Sequence, residues 1–244
     1  MNPDSERPLR VWVTGASRGI GAACAREFAD RGYIVAASGR DAAALAALER
    51  PASSTGSGCM ILPFPCDVTD EESVKEAYRR ILEYMSRVDV LVNNAGATVF
   101  KTFRDTTVQE FDTVVGTNVR GAFLCTQAVL PAMIERREGT IVMVVSVAAR
   151  DVFRDSSVYA ASKAAVKALA DCLRFEVRDA GVRVVSVFPG ATATSIWPPR
   201  VLEKHGHRML RPEDVAKAVV DAVDTPRSVM VEEVVIQPIG GPLS

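Results

Sequence analysis

The hydrophobic positions along the chain alternate between two periods. Short runs of β-branched and other apolar residues predict strands, and most are followed by a stretch with the 3.6-residue period of an amphipathic helix. The predicted strands are residues 9–14, 33–38, 59–64, 88–92, 140–145, 182–188 and 231–236. The predicted helices are residues 19–31, 42–50, 71–85, 108–137, 158–180 and 212–223.

This alternation predicts an α/β fold. Strand–helix–strand units with right-handed crossovers build a parallel sheet covered by helices on both faces, so we expect a single Rossmann-type doubly wound sheet of about seven strands. The nearly continuous apolar run at 141–145 fits a strand that is buried on both sides. The serine- and glycine-rich segment at 51–58 is too short to separate domains, so residues 1–244 are expected to form one domain.

The composition narrows the function mainly by exclusion. The formal net charge of −1 gives no electrostatic reason to expect a nucleic acid or an anionic membrane as a partner. The five cysteines, at positions 24, 59, 66, 125 and 172, are scattered and form no CxxC pair, so we expect a reducing, cytoplasmic setting without disulfides. Residues 1–8 are polar and acidic, unlike a signal peptide. His205 and His207 lack an obvious third ligand, so no metal site is expected.

A glycine-rich loop follows the first predicted strand. It has the sequence Thr-Gly-Ala-Ser-Arg-Gly-Ile-Gly over residues 14–21 and leads directly into the first predicted helix. Gly15 would permit a tight turn, Gly19 would let the backbone approach a pyrophosphate, and Gly21 would let the helix pack closely on the strand. Because the N–H groups of a helix N-terminus favour phosphate, the loop predicts a dinucleotide site. A strand-to-helix turn without a ligand is the alternative.

The end of the second predicted strand indicates which dinucleotide is bound. NAD binders place an acidic residue there to bind the ribose hydroxyls, but this chain has Gly39 followed by Arg40. Asp41 begins an alanine-rich helix and is better interpreted as its N-cap. Arg40, joined by Arg18 of the glycine loop, would bind a 2′-phosphate and thus favour NADP(H). Two solvated surface arginines are the alternative.

A second group of residues carries proton chemistry. Tyr159 and Lys163 are four residues apart on a predicted helix and so point the same way, and Ser146 lies thirteen residues before the tyrosine. A cation there, with the positive nicotinamide of an oxidised cofactor, favours phenolate and lowers a tyrosine pKa from its usual value of about 10. The pair therefore predicts a general acid/base for a carbonyl or an alcohol.

Taken together, these residues resemble the short-chain dehydrogenase/reductase family over about residues 9–238. The resemblance rests on the glycine loop at 14–21, Cys66-Asp67-Val68, Asn93-Asn94-Ala95-Gly96, Asn118, Ser146, Tyr-Ala-Ala-Ser-Lys at 159–163 and Pro189-Gly190-x-x-x-Thr194. It implies a substrate lid at about residues 191–211. It also implies a homo-oligomer in which helices 108–137 and 158–180 form a dimer face, commonly doubled to a tetramer.

The resemblance assigns catalytic roles to four residues. Ser146 would hydrogen-bond the substrate oxygen, and Tyr159 would exchange that oxygen's proton. Lys163 would bind the nicotinamide ribose and lower the tyrosine pKa. Asn118 would hold a water that continues a proton relay from Lys163.

The resemblance also extends the cofactor site beyond the glycine loop and Arg40. Asp67 and Val68 would line the adenine pocket, residues 93–96 would shape the wall beside the ribose, and Thr192 with Thr194 would contact the carboxamide. The complete predicted cofactor-binding set is Gly15, Ser17, Arg18, Gly19, Ile20, Gly21, Arg40, Asp67, Val68, Asn94, Ala95, Gly96, Tyr159, Lys163, Pro189, Gly190, Thr192 and Thr194.

The sequence thus favours an NADP(H)-dependent oxidoreductase that interconverts a small carbonyl compound and a secondary alcohol. An NADP(H)-binding regulatory or sensing protein without turnover is the alternative. A lyase or epimerase is disfavoured because little chain follows Pro189. Trp197, in the predicted lid, could form a wall of the substrate pocket or pack the lid down, and the sequence does not decide between them. The substrate itself is not specified.

Overall fold

The computed structural model describes residues 8–50 and 60–243. The predicted loop at 51–58, Cys59 and most of the N-terminal segment lie outside the described residues. The strands are β1 (Arg10–Thr14), β2 (Ile34–Gly39), β3 (Met60–Pro65), β4 (Val90–Asn93), β5 (Gly139–Val144), β6 (Val182–Pro189) and β7 (Glu233–Ile236). They form one parallel sheet in the order β3-β2-β1-β4-β5-β6-β7, which confirms the predicted fold class.

Helices cover both faces of this sheet. They are α1 (Gly19–Asp30), α2 (Ala42–Ala46), α3 (Glu71–Met85), α4 (Val108–Val115), α5 (Gly121–Glu135), α6 (Ser157–Val177), α7 (Pro199–His205) and α8 (Pro212–Val223). Two of them, α3 and α8, have the predicted bounds. The Asp70 carboxylate caps α3 by accepting from Glu72 N at 3.3 Å, and the fixed φ of Pro212 suits the first position of α8.

The helix predicted at 108–137 is interrupted. After α4 the chain makes a π-helical turn, Gly116–Arg120, before α5 continues. A π turn adds one residue to a helical repeat, which hydrophobic periodicity does not reveal. The prediction of one continuous helix was therefore wrong.

Two further differences concern short elements. The helix predicted at 42–50 was too long, because α2 spans five residues and Arg50 instead forms an antiparallel bridge with Ile61. The predicted lid at 191–211 contains α7, which was not predicted as a helix.

Alternate side chains of β1 belong to opposite cores. Val11 and Val13 pack with Phe28 of α1 on one side of the sheet, whereas Trp12 packs on the other side with residues of α3 and α5. All four are fully buried, so β1 has to be apolar on both faces, as in other sheets covered by two helical layers. Across the described ranges, no helix combines the length and the apolar character needed to cross a membrane.

The position of β1 between β2 and β4 determines where a ligand can bind. From β1 the chain adds β2 and β3 on one side of the sheet, and it then returns to add β4 to β7 on the other side. Because the connections after β1 and β4 run in opposite directions, a crevice opens at the carboxyl ends of these two strands. A short hydrogen-bonded chain joins these two strand ends. Asn94 N donates to Thr14 Oγ1 at 3.0 Å, and that hydroxyl donates to Val92 O at 3.2 Å.

Candidate active site

A cavity of about 600 Å³ lies at the carboxyl ends of the strands. Every predicted site residue lines it except Gly21 and Asn118. These two contact the loops that form the cavity: Gly21 packs against Gly15, and Asn118 hydrogen-bonds Ala97. The predicted residues that line it are Gly15, Ser17, Arg18, Gly19, Ile20, Arg40, Asp67, Val68, Asn94, Ala95, Gly96, Ser146, Tyr159, Lys163, Pro189, Gly190, Thr192 and Thr194. The fold thus brings into one cavity residues that are far apart in the sequence.

The glycine loop leaves no room for side chains. Gly15 has a φ of +63°, and a Cβ there would lie 2.7 Å from the Cα of Ala95. Gly19 has a φ of +57°, and its Cβ would lie 3.1 Å from Thr194 Cγ2. A Cβ on Gly21 would lie 2.3 Å from the carbonyl oxygen of Gly15, so glycine there lets α1 pack against the loop. The start of α1 therefore presents backbone to the cavity, which fits the pyrophosphate of a dinucleotide.

Two arginines lie beside this cradle at the end of β2. Arg18 and Arg40 both line the cavity, both are exposed, and neither makes an ion pair or a hydrogen bond to another residue of the described ranges. The Asp41 carboxylate, in contrast, accepts from Ala44 N at 2.9 Å, which confirms Asp41 as the N-cap of α2. This end of the cavity thus offers two guanidinium groups to an anion, while the Asp41 carboxylate is engaged in capping α2.

The predicted catalytic side chains meet on one wall. Tyr159 and Lys163 lie in the first two turns of α6, and Ser146 follows β5. Lys163 is 5% exposed; its Nζ donates to Val144 O at 2.8 Å and lies 5.8 Å from the centroid of the Tyr159 ring. Ser146 Oγ accepts from Ala148 N at 3.1 Å, and its side chain interacts with that of Tyr159 in the direction that lowers the tyrosine pKa. The hydroxyl groups of Ser146 and Tyr159 are therefore placed to contact one substrate oxygen.

Burial controls the ionisation of this pair. It raises the pKa of Tyr159 above its usual value, and the hydrogen bond with Ser146 offsets only part of that effect. It also lowers the pKa of Lys163 to about 8. In the chain without cofactor, desolvation of the phenolate thus sets the direction of the Tyr159 pKa, and the lowering predicted for Lys163 together with the nicotinamide stays a prediction. The positive nicotinamide, which was the other part of that prediction, is a contribution of the cofactor and not of the chain.

Asn118 connects two parts of the site. It is buried in the π-helical turn, where its Oδ1 accepts from Ala97 N at 2.7 Å. Its Nδ2 donates to Ala97 O at 3.0 Å and to Ser162 Oγ at 2.8 Å. Ser162 in turn donates to the carbonyl of Tyr159 at 2.7 Å. Both amide N–H groups thus have protein partners that join the loop after β4 to α6, and the relay water remains a prediction.

Trp197 has both of the roles that the sequence left open. It lines the cavity, and its indole N–H donates to Thr192 O at 3.0 Å within the lid. Its ring also stacks on Phe100, with the ring centroids 4.9 Å apart and the planes inclined by 13°. The lid and the loop after β4 therefore meet through an aromatic contact.

Sequence reasoning missed several residues on this side of the cavity. Thr98 lies in the loop after β4, Phe153 and Arg154 precede α6, and His205 ends α7. All of them are in loops or at the end of a short helix, where no periodicity marks which side chains point inward. Within the described part of the chain, no group of three or more His, Cys, Asp or Glu side chains could hold a metal ion.

The lowered pKa of Lys163 predicts a pH dependence of stability. Between pH 8 and 10.5 the unfolded chain holds a proton that the folded, cofactor-free protein has released, so Lys163 makes the free energy of unfolding rise with pH across that window. The rise should be about 3 kcal/mol. In Lys163→Met the titration is gone, so the stability of the variant relative to the wild type should fall by that amount from pH 8 to 10.5. Urea unfolding of both proteins at several pH values measures it, and a constant difference would contradict the assignment.

Comparisons with known proteins agree with this geometry. A family model described as short chain dehydrogenase matches residues 10–204. A sepiapterin reductase from Chlorobaculum tepidum is 35% identical over 236 residues, which cover 94% of this chain and 96% of that protein.

Solved structures extend the similarity to three dimensions. An alcohol dehydrogenase from the archaeon Thermococcus sibiricus, complexed with 5-hydroxy-NADP, has a TM-score of 0.87 at 29% identity, over 98% of this chain and 100% of that one. A 3-ketoacyl-(acyl-carrier-protein) reductase from Brucella melitensis, complexed with NADH, has a TM-score of 0.83 at 28% identity, over 93% and 96%. With its glycine cradle and its Ser146, Tyr159 and Lys163 on one wall, the chain belongs to the short-chain dehydrogenase/reductase family of oxidoreductases.

Proposed function

We propose that this protein is an NADP(H)-dependent oxidoreductase that interconverts a carbonyl compound and a secondary alcohol, with Tyr159 as general acid/base. The observation that carries the proposal is that Ser146, Tyr159 and Lys163 line the same cavity as the glycine cradle. A proton donor and a dinucleotide-sized cradle in one cavity are what carbonyl reduction requires.

The cofactor, when bound, supplies or accepts the hydride at the nicotinamide. The chain's own residues bind and orient the reactants and handle the proton. In the direction of reduction, Ser146 donates a hydrogen bond to the carbonyl oxygen, and Tyr159 transfers its hydroxyl proton to that oxygen as the carbonyl carbon is reduced. Burial keeps Tyr159 in the neutral form, which is the form that can donate. Lys163 is mostly protonated at neutral pH, and its charge stabilises the phenolate that remains after transfer.

The proposed cofactor residues divide by the part of the dinucleotide that they would contact. The backbone around Gly15 and Gly19 would hold the pyrophosphate, and Lys163 would hold the ribose next to the nicotinamide. Arg18 and Arg40 would bind a 2′-phosphate, and their lack of other partners in the described ranges supports NADP(H) over NAD(H). Relatives do not decide this point, because the Thermococcus sibiricus structure contains an NADP derivative and the Brucella melitensis structure contains NADH.

A panel of ketones and aldehydes tests the proposal. Purified protein with NADPH should reduce at least one of them, seen as loss of the nicotinamide absorbance, and should oxidise the corresponding alcohol with NADP⁺. Tight NADPH binding without turnover of any compound would favour the sensing alternative. Conversion of a substrate without net change in the reduced cofactor would favour a lyase or epimerase.

We also propose that the protein forms a homo-oligomer through the helices of residues 108–137, which are α4 and α5, and through α6. Ala161, Ala164, Ala168, Cys172 and Phe175 form an exposed stripe at helical spacing along α6, and Phe175 is 84% exposed. An exposed apolar stripe of this kind is typical of an interface, and alanines let two helices approach closely. Light scattering at micromolar concentration should give the mass of a dimer or a tetramer, and a stable monomer would contradict the proposal.

A further inference from the structure

The cavity contains more positive charge than the proposed cofactor contacts use. Its lining residues with a fixed charge are Arg18, Arg40, Asp67, Arg154 and Lys163. Under the proposed function, Arg18 and Arg40 bind the 2′-phosphate, Asp67 belongs to the adenine side and Lys163 to the ribose. Asp67 is also the one carboxylate among the described lining residues. Arg154 is therefore a cation in the cavity without an assigned partner.

Arg154 lies on the substrate side. It belongs to the segment before α6, next to Phe153, and the lid residues Ile196 and Trp197 line the same cavity. These lining residues are apolar, so they offer burial but no counter-charge to a ligand. A carbonyl compound that fits this side would combine an apolar body with one negatively charged group.

The backbone holds Arg154 in place, but its guanidinium is available. The next residue, Asp155, is in the left-handed region with a φ of +57°, and its carbonyl accepts from Lys101 N at 3.0 Å. That bond joins the turn to the loop after β4. Arg154 makes no ion pair or hydrogen bond within the described ranges, although Asp151 and Asp155 are close in sequence. The guanidinium group is planar, so an arginine on a constrained turn can bind a planar carboxylate with two parallel hydrogen bonds.

A second polar group on this side also lacks a partner. Thr98 Oγ1 is buried and has no hydrogen bond to another described residue, although Thr98 lines the cavity. Buried polar groups are nearly always hydrogen-bonded in folded proteins, so an unpaired hydroxyl here indicates a ligand oxygen or water as its partner.

We propose that Arg154 is a specificity-determining residue that binds the carboxylate of an oxo acid substrate whose remaining body is apolar. The inference rests on the proposed function and adds the substrate class to it. A hydrogen bond to a charged group contributes at least about tenfold in affinity, and we expect this lower value because Arg154 is exposed.

Matched pairs of acids and esters test the inference. The probes are benzoylformate, 3-benzoylpropionate and 4-benzoylbutyrate, each compared with its methyl ester, because the series varies the distance between the ketone and the carboxylate. The wild type should prefer the acid in at least one pair, measured as the ratio of kcat/KM for acid and ester. Arg154→Gln should lower that ratio about tenfold, and Arg154→Lys, which keeps the charge, should restore part of it.

Arg200→Gln is the matched control, since Arg200 is exposed at the start of α7 and does not line the cavity. It should leave the acid-to-ester ratio unchanged. A preference for the ester in all three pairs, or an equal loss in Arg154→Gln and Arg200→Gln, would overturn the inference.

Binding supplies a readout that does not depend on turnover. Calorimetric titration of each of the three acids into protein saturated with NADP⁺ should give, for at least one of them, a Kd that is about tenfold weaker in Arg154→Gln than in the wild type. Equal affinities would overturn the inference even if ketones are reduced. If the wild type reduces no ketone or aldehyde, the proposed function fails, whereas the calorimetric comparison still decides whether Arg154 binds the carboxylate.

Discussion

Replacing Tyr159 with phenylalanine is expected to lower turnover on the best ketone by about 10²–10⁴-fold, the usual contribution of a positioned acid/base. The change removes only the hydroxyl, and it leaves the ring in the cavity and its place at the start of α6. Affinity for the cofactor should stay nearly unchanged, because the glycine cradle and Lys163 remain. Steady-state kinetics and a fluorescence titration of the cofactor measure the two quantities separately.

One control variant and one further site variant make this result specific. Tyr84→Phe removes a phenolic hydroxyl from α3, where Tyr84 is 69% exposed and does not line the cavity, and it should keep turnover near that of the wild type. Lys163→Ala should reduce both cofactor affinity and turnover, because Lys163 would serve the ribose and the tyrosine together. Near-native turnover by Tyr159→Phe would show that the proton comes from another group.

The parts of the fold that the sequence predicts well are those with local causes. The alternation of β-branched runs and helical periods was sufficient to predict the doubly wound parallel sheet. The bounds of α3 and α8 followed from Asp70 and Pro212, since a cap and a proline mark a helix start in the sequence itself. The cradle likewise followed from the spacing of its glycines after a strand.

The remaining features depend on contacts between distant segments. The π-helical turn that contains Asn118 leaves no mark in the hydrophobic periodicity of the sequence. It nevertheless places the Asn118 amide where it hydrogen-bonds both Ala97 and Ser162. The raised pKa of Tyr159 in the cofactor-free chain was not foreseen, because the sequence shows the neighbouring lysine but not the burial of both groups. Arg154 was overlooked because only the folded chain shows that it lines the cavity.

Cofactor choice is the second prediction with a large expected effect. The protein should bind NADP(H) more tightly than NAD(H) by roughly 10- to 150-fold, since hydrogen bonds to a charged group contribute about 1.5–3 kcal/mol. We expect Arg40 to carry most of the preference and Arg18 the remainder, because both line the cavity without another partner among the described residues. Titration of both cofactors at one fixed salt concentration measures the ratio, and the salt has to be fixed because screening weakens exposed charge pairs.

The double variant Gly39→Asp with Arg40→Leu should reverse the preference, because it supplies an acid for the ribose hydroxyls and removes the guanidinium. The structure accommodates the new side chain, since a Cβ on Gly39 would lie 3.4 Å from Ser17 Oγ, an ordinary contact. Asp41→Asn is the control: asparagine is as good an N-cap as aspartate, so the charge is removed while α2 keeps its cap. This variant should keep the preference for NADP(H), because the Asp41 carboxylate binds Ala44 N and not the ribose. Equal or tighter binding of NAD(H) by the wild type would mean that Asp41 or the backbone, and not Arg40, governs the ribose site.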